Sequence, residues 1–209
     1  MTGLFITLEG GEGAGKSTLV NGLRAHLERR GMAPLLTREP GGTALGEAIR
    51  ELVLGHAHGA VCAESELLLM FAARAQLVRE VLRPALDAGR CVLCDRFVDA
   101  SYAYQGGGRG QPLERIAALD AWAVDGLVPD LTLLLDVPVS TGRQRIAGRG
   151  PGDRIEKEAL PFFERVREAY RARAAAEPGR FRILDARRDP DQVLMQAVAA
   201  VDAFLEARP

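Results

Sequence analysis

Five short apolar runs, at 4–8, 34–37, 91–94, 131–136 and 181–184, have the length and character of buried strands. Between them, segments 16–30, 44–54, 65–86, 113–125, 139–147, 158–176 and 190–206 carry apolar residues three and four apart, the pattern of helices with one buried face. Strand alternating with helix predicts an α/β fold in three layers, a parallel sheet covered by helices on both faces. No internal repeat or low-complexity linker interrupts the pattern, so one domain is expected over 1–209. Two glycine-rich stretches, 105–110 and 148–153, read as loops.

Composition narrows the class of ligand. The 209 residues are 47% hydrophobic and 26% charged, which suits a chain with a proper core. Lys plus Arg (27) nearly cancels Asp plus Glu (28), so no overall positive field exists to hold long nucleic acid, and a small anion met by local arginines fits better. The three cysteines, Cys62, Cys91 and Cys94, are too few for a disulfide framework and favour a reducing compartment. Cys91 and Cys94 stand three apart on an expected strand, hence on opposite faces, and read as buried structural residues. The start of the chain lacks a basic segment followed by a long apolar one, and charges break every later apolar stretch before a membrane span's length, so a cytoplasmic protein without membrane contact is expected.

Gly10-Gly11-Glu12-Gly13-Ala14-Gly15-Lys16-Ser17 satisfies G-x-x-x-x-G-K-[ST] and stands where its mechanism requires, after a predicted strand and before a predicted helix. Such a loop turns backbone N–H groups inward on an anion, and the following helix adds its positive end. Lys16 is expected on the β- and γ-phosphates of a nucleoside triphosphate and Ser17 on Mg²⁺, with Thr18 completing the cradle. The third run ends in Asp95-Arg96, and an acid at the carboxyl end of a strand suits Mg²⁺ or its water. There is no Asn-Lys-x-Asp segment for guanine, so phosphoryl transfer to a small acceptor leads over a GTPase switch. An ATP-dependent switch or binding protein stays open. Arg143, Arg145, Arg149 and Arg154 surround the second glycine-rich stretch, as in a short lid, about 143–156, that closes over a triphosphate. The variable positions of the phosphate loop hold no arginine, so the lid is expected to supply one for catalysis, Arg154 first and Arg149 second.

Further segments give the chain a family resemblance: 37–43 (Thr-Arg-Glu-Pro-Gly-Gly-Thr), 70–74 (Met-Phe-Ala-Ala-Arg), Asp95-Arg96, 101–110, 129–136 and 153–156 (Asp-Arg-Ile-Glu). In order and spacing they resemble bacterial thymidylate kinases over nearly the whole chain. The resemblance implies transfer of the γ-phosphoryl of ATP to dTMP with Mg²⁺, in dTTP synthesis, by a homodimer of a P-loop fold with a five-stranded parallel sheet. It also implies roles for residues. Phe71 would lie on the thymine ring, and Arg74 and Gln105 would read its edge. Arg38, Arg50 and Arg96 would clamp the acceptor phosphate, next to Glu39 and Pro40. Tyr104 would crowd the sugar 2′ position with Ser101 in the same pocket, and Glu9 would reach the sugar or organise water and metal.

Overall fold

A computed structural model of the chain describes residues 3–57, 59–148, 150 and 152–208. Its five strands, β1 (Leu4–Glu9), β2 (Leu35–Arg38), β3 (Cys91–Asp95), β4 (Leu131–Asp136) and β5 (Phe181–Asp185), form one all-parallel sheet in the order β2-β3-β1-β4-β5. The strands lie within two residues of the expected runs. The three central ones are almost wholly buried, as their unbroken apolar sequences require, whereas β2 and β5 form the edges and are buried only in part.

Side-chain alternation along the strands sorts the core into layers. Leu4, Ile6 and Leu8 of β1, with Cys91 and Leu93, pack on α1 (Lys16–Arg29) and α9 (Pro190–Ala207). The opposite face puts Phe5, Val92 and Cys94 against α3 (Ala63–Leu77), and Leu134 and Phe181 into the cluster built around α8 (Leu160–Ala176). Cys91 and Cys94 are thus buried on opposite faces with free thiols, both pushed up by burial. The helix expected at 65–86 runs from Ala63 to Asp87, as α3, a wider-turned segment Val78–Leu82 and α4 (Arg83–Asp87). The remaining helices are α2 (Ala44–Leu54), the short α5 (Val98–Ser101), α6 (Leu113–Val124) and α7 (Val139–Ile146). No helix among the described residues is long and apolar enough to cross a membrane.

The stretch 105–110 departs from expectation. Rather than a loop, α5 continues into a wide-turned helical segment, Tyr102–Gly108, closed by bonds such as Arg109 N–H to the Tyr104 carbonyl at 2.9 Å. Its glycines provide clearance instead of flexibility. A Cβ on Gly107 would stand 2.8 Å from the Arg165 carbonyl oxygen, and one on Gly108 would stand 2.4 Å from the Phe162 ring. Gln105, in the same segment, is buried. Of the second glycine-rich stretch, Arg149 and Pro151 lie outside the described residues.

Candidate active site

The parallel register lines up Leu8 with Asp95 and Arg38 with Asp95, so Glu9, Arg38, Asp95 and Arg96 gather at one edge of the sheet, where ligands of such folds bind. From β1 the chain turns through 10–15 onto α1. Gly13 has φ 71°, and a Cβ there would meet the Gly142 carbonyl oxygen at 2.1 Å. Gly15, also left-handed, caps α1 with no side-chain hydrogen bond, which leaves the helix's first N–H groups and its positive end to a ligand. Lys16 is buried and donates to the carbonyls of Gly10 and Gly11 at 3.1 and 3.2 Å. Burial pushes its ammonium down and Arg96 adds to the effect, against Glu12, Asp95 and Glu9.

Glu12 to Thr18 line an open cavity of about 270 Å³ together with Arg38, Glu39, Arg50, Asp95, Arg96 and Asp153. A further cavity of about 370 Å³ touches the other side of the loop, between Gly13, Thr18, Arg145 and the 186–194 segment. A third, of about 100 Å³, opens from the first and shares Glu12, Glu39, Arg50, Arg96 and Asp153 with it. Its remaining walls are Pro40, Leu54, Met70, Ala100, Tyr104, Gln105 and Ile155.

Arg96 stands at the junction in a left-handed conformation, φ 70°, which costs a non-glycine residue about 1–3 kcal/mol and is held by its surroundings. Its backbone N–H bonds the Leu8 carbonyl at 2.9 Å. Its guanidinium donates to the Gly10 carbonyl, to the Tyr170 hydroxyl and, at 2.7 Å, to Glu12. The same Glu12 oxygen accepts from the Tyr104 hydroxyl at 2.8 Å, and Arg96 lies 4.8 Å from the centre of the Tyr104 ring. Burial pushes the Glu12 carboxyl up, but Arg96 and Lys16 outweigh it and hold the group below its ordinary range. Arg38 pairs with Glu47 at 2.8 Å in an exposed position, and Arg50 donates to the Pro40 carbonyl at 3.0 Å.

Several expected contacts are not brought to a cavity wall. Phe71 is buried in the core, and Met70, one residue earlier and about 100° around α3, takes the wall position. Arg74 is fully buried behind the wall. Its Nε donates to Glu39 at 2.7 Å, and its two terminal nitrogens donate to Ser101 at 2.9 Å and to the Phe97 carbonyl at 3.1 Å, with the ring of Phe71 4.5 Å below. Ser101, as Arg74's acceptor, is buried with it. Glu9 does not face a cavity either: one oxygen accepts from the Phe97 N–H and the other from the Tyr170 hydroxyl, both at 2.7 Å. Burial, then the charge of Asp99, pushes its carboxyl up to about 8. Arg154, expected to serve the lid, is turned away from the phosphate loop. Its Nε donates to the Val53 carbonyl at 2.8 Å and its terminal nitrogen to Glu66, a buried carboxylate that draws the guanidinium in.

Sequence reasoning missed the side chain of Glu12 and the wall position of Met70. An acid inside an anion cradle was the available signal for Glu12, since it requires a cation partner. Met70 and Arg74, four apart, share a helix face that Phe71 does not, which was the signal for Met70.

Mg²⁺ fits the donor cavity. Asp95, whose Oδ1 is buried without a partner among the described residues, lines the same cavity as Ser17. The described residues hold no cluster of three or more His, Cys, Asp or Glu, so an ion here would depend on ligand phosphates and water for its other ligands, as Mg²⁺ ordinarily does.

A triphosphate cradle that opens through shared arginines into a second, smaller cavity defines a P-loop kinase with a small acceptor. A family model described as thymidylate kinase matches residues 8–197. The chain is 56% identical over 205 residues to the thymidylate kinase of Pseudomonas syringae pv. syringae (strain B728a), spanning 98% of this chain and 96% of the other. It is 55% identical over 205 residues to that of Ectopseudomonas mendocina (strain ymp), with the same coverage, and 53% identical over 206 residues to that of Pseudomonas putida (strain GB-1), covering 99% and 98%. The chain belongs to the thymidylate kinase family.

Proposed function

We propose that the chain transfers the γ-phosphoryl group of ATP to dTMP, giving dTDP and ADP on the route to dTTP. One observation carries the reading: the phosphate-loop cavity and the smaller cavity beside it share Arg50 and Arg96, which puts cations where two anions must meet. The acceptor phosphate is already an anion, so no strong base is needed, and catalysis is alignment plus neutralisation of charge. The amides of 10–15 and the end of α1 take the triphosphate, and Lys16 redirects from its own loop carbonyls to the phosphates. Arg38, Arg50 and Arg96 clamp the acceptor phosphate. Ser17 and Asp95 would hold Mg²⁺, which when bound neutralises charge on the donor phosphates.

Gln105 lines the smaller cavity and has a buried carbonyl oxygen without a partner among the described residues, suited to accept the N3–H of thymine. Cytosine has no hydrogen there. The thymine methyl is worth only about 1–3 kcal/mol, so dUMP is rejected modestly. Tyr104, tied to Glu12, forms a wall beside the sugar that disfavours a 2′-hydroxyl. Arg74, stacked on Phe71, holds the wall residue Glu39 from behind. The lid arginine is assigned to Arg149.

The reading extends to one working unit over 1–209, a cytoplasmic setting supported by the free thiols, and a homodimer supported by exposed Leu68 on α3 and Trp122 on α6. A panel of nucleoside monophosphates with ATP and Mg²⁺ tests the function. Fastest transfer is expected to dTMP. Hydrolysis of ATP without transfer, or a preference for another monophosphate, would sink it.

A further inference from the structure

Glu66, in the first turn of α3, is 1% exposed and sits among donors. It accepts from the Gln105 amide nitrogen at 3.0 Å, from Arg109 at 3.2 and 3.1 Å, and from Arg154. Burial pushes its carboxyl up, but the hydrogen bonds from Arg109, Arg154 and Gln105 outweigh that and hold it below the ordinary range. Two partly buried guanidiniums therefore keep it ionised, and an ionised carboxylate only accepts hydrogen bonds.

This decides something that shape leaves open. The two ends of a glutamine amide are nearly the same size, and which one faces a cavity is settled by the partners at the other end. With a pure acceptor behind it, Gln105 must turn its nitrogen to Glu66. Its oxygen is buried and unpartnered among the described residues, and Gln105 is a wall residue of the acceptor cavity, so the oxygen is the end of the amide left for a ligand there. A carbonyl accepts from a ring N–H, whereas an amide nitrogen donates to a ring lone pair. Pyrimidines with a 4-oxo group carry a hydrogen on N3, and those with a 4-amino group carry a lone pair there.

We propose that Glu66 is a positioning residue for base choice: by locking the Gln105 amide with its oxygen toward the acceptor, it selects 4-oxo over 4-amino pyrimidine nucleotides. The proposal rests on Gln105 contacting the base, as in the function proposed above. Glu66→Gln keeps the size but supplies an amide that can donate to the Gln105 oxygen, which frees Gln105 to turn its nitrogen to the cavity.

Rates with dTMP and dCMP, each with ATP and Mg²⁺, give the test. The ratio of kcat/KM for dTMP over dCMP is expected to fall by roughly 10- to 100-fold in Glu66→Gln, with KM for ATP unchanged. A parallel loss with both acceptors, at constant ratio, would make Glu66 a purely structural residue and overturn the proposal. A wild-type enzyme that uses both acceptors equally would overturn the reading of Gln105 itself. Should the variant fail to fold, the wild-type protein answers by NMR. The Gln105 side-chain N–H protons should be protected from exchange before any nucleotide is added and should stay so with dTMP. Protection that arises only on adding dTMP would mean that the nitrogen faces the cavity, and the proposal would fall.

Discussion

One unbroken stretch, 12–18, runs along the donor cavity, whereas the acceptor cavity is assembled from residues scattered between Glu12 and Ile155. The donor end needs little beyond a turn of the right shape and the end of a helix. The acceptor end needs several elements to arrive in the right rotation, held by buried ion pairs. Damage should follow the same division: the donor end should fail through its backbone, and the acceptor end through the polar groups behind its walls.

The largest effect is expected at Gly13. Its added Cβ would stand 2.1 Å from the Gly142 carbonyl oxygen, so Gly13→Ala must move either the loop or α7. Loss of aligned N–H donors in such a site slows turnover by about 10²–10³-fold. Steady-state kinetics should show this with the dTMP dissociation constant nearly unchanged. A large loss of dTMP affinity instead would mean that the two ends are not separate in the way described.

At the acceptor end, Arg74 pairs with Glu39 at 2.6 Å with both side chains almost fully enclosed. Arg74→Met would leave Glu39 buried and alone, at a cost of about 3–5 kcal/mol in unfolding free energy. Urea denaturation checks this. A stable variant that had lost only its preference for dTMP would return Arg74 to direct contact with the base.

Arg154→Ala is expected to cost less, about 1–3 kcal/mol, because Arg109 still pairs with Glu66. Turnover slowed by roughly 10³-fold or more without loss of stability, the size associated with a catalytic arginine, would show that Arg154 leaves Glu66 during the reaction and would restore its lid role.

What the sequence reveals follows this division. The phosphate loop is legible because spacing alone carries its geometry, and the strands because unbroken apolar runs are what a sheet covered on both faces requires. Partners remote in sequence carry the rest. Composition makes 105–110 look like a loop, but α8, some 57 residues on, turns its glycines into packing clearance. Arg154 beside glycines suggests a mobile cation, until Glu66, 88 residues earlier, captures it. Phe71 is the conspicuous aromatic, yet the rotation of α3 selects Met70 for the wall.

Glu9 offers the smallest effect and the sharpest separation of the two kinds of role. At the end of β1 it looks like a catalytic acid, yet Tyr170, 161 residues away, and the Phe97 N–H take both its oxygens. Its carboxyl, pushed from 4.5 to about 8, keeps a proton in the folded protein that the unfolded chain releases above its own lower value. The stabilisation is therefore complete below about pH 4.5 and is lost as the pH rises toward 8, by up to about 1.4 kcal/mol per unit. Glu9→Gln has no such proton to lose. Between about pH 5.5 and 8, the unfolding free energy of the wild type should fall relative to that of the variant, by about 1 kcal/mol per unit, while groups common to both cancel. Parallel profiles would remove the raised carboxyl. Because both oxygens are taken within the protein, turnover should change by less than about tenfold, and a loss near that expected for Gly13→Ala would put Glu9 among the groups that touch the reactants.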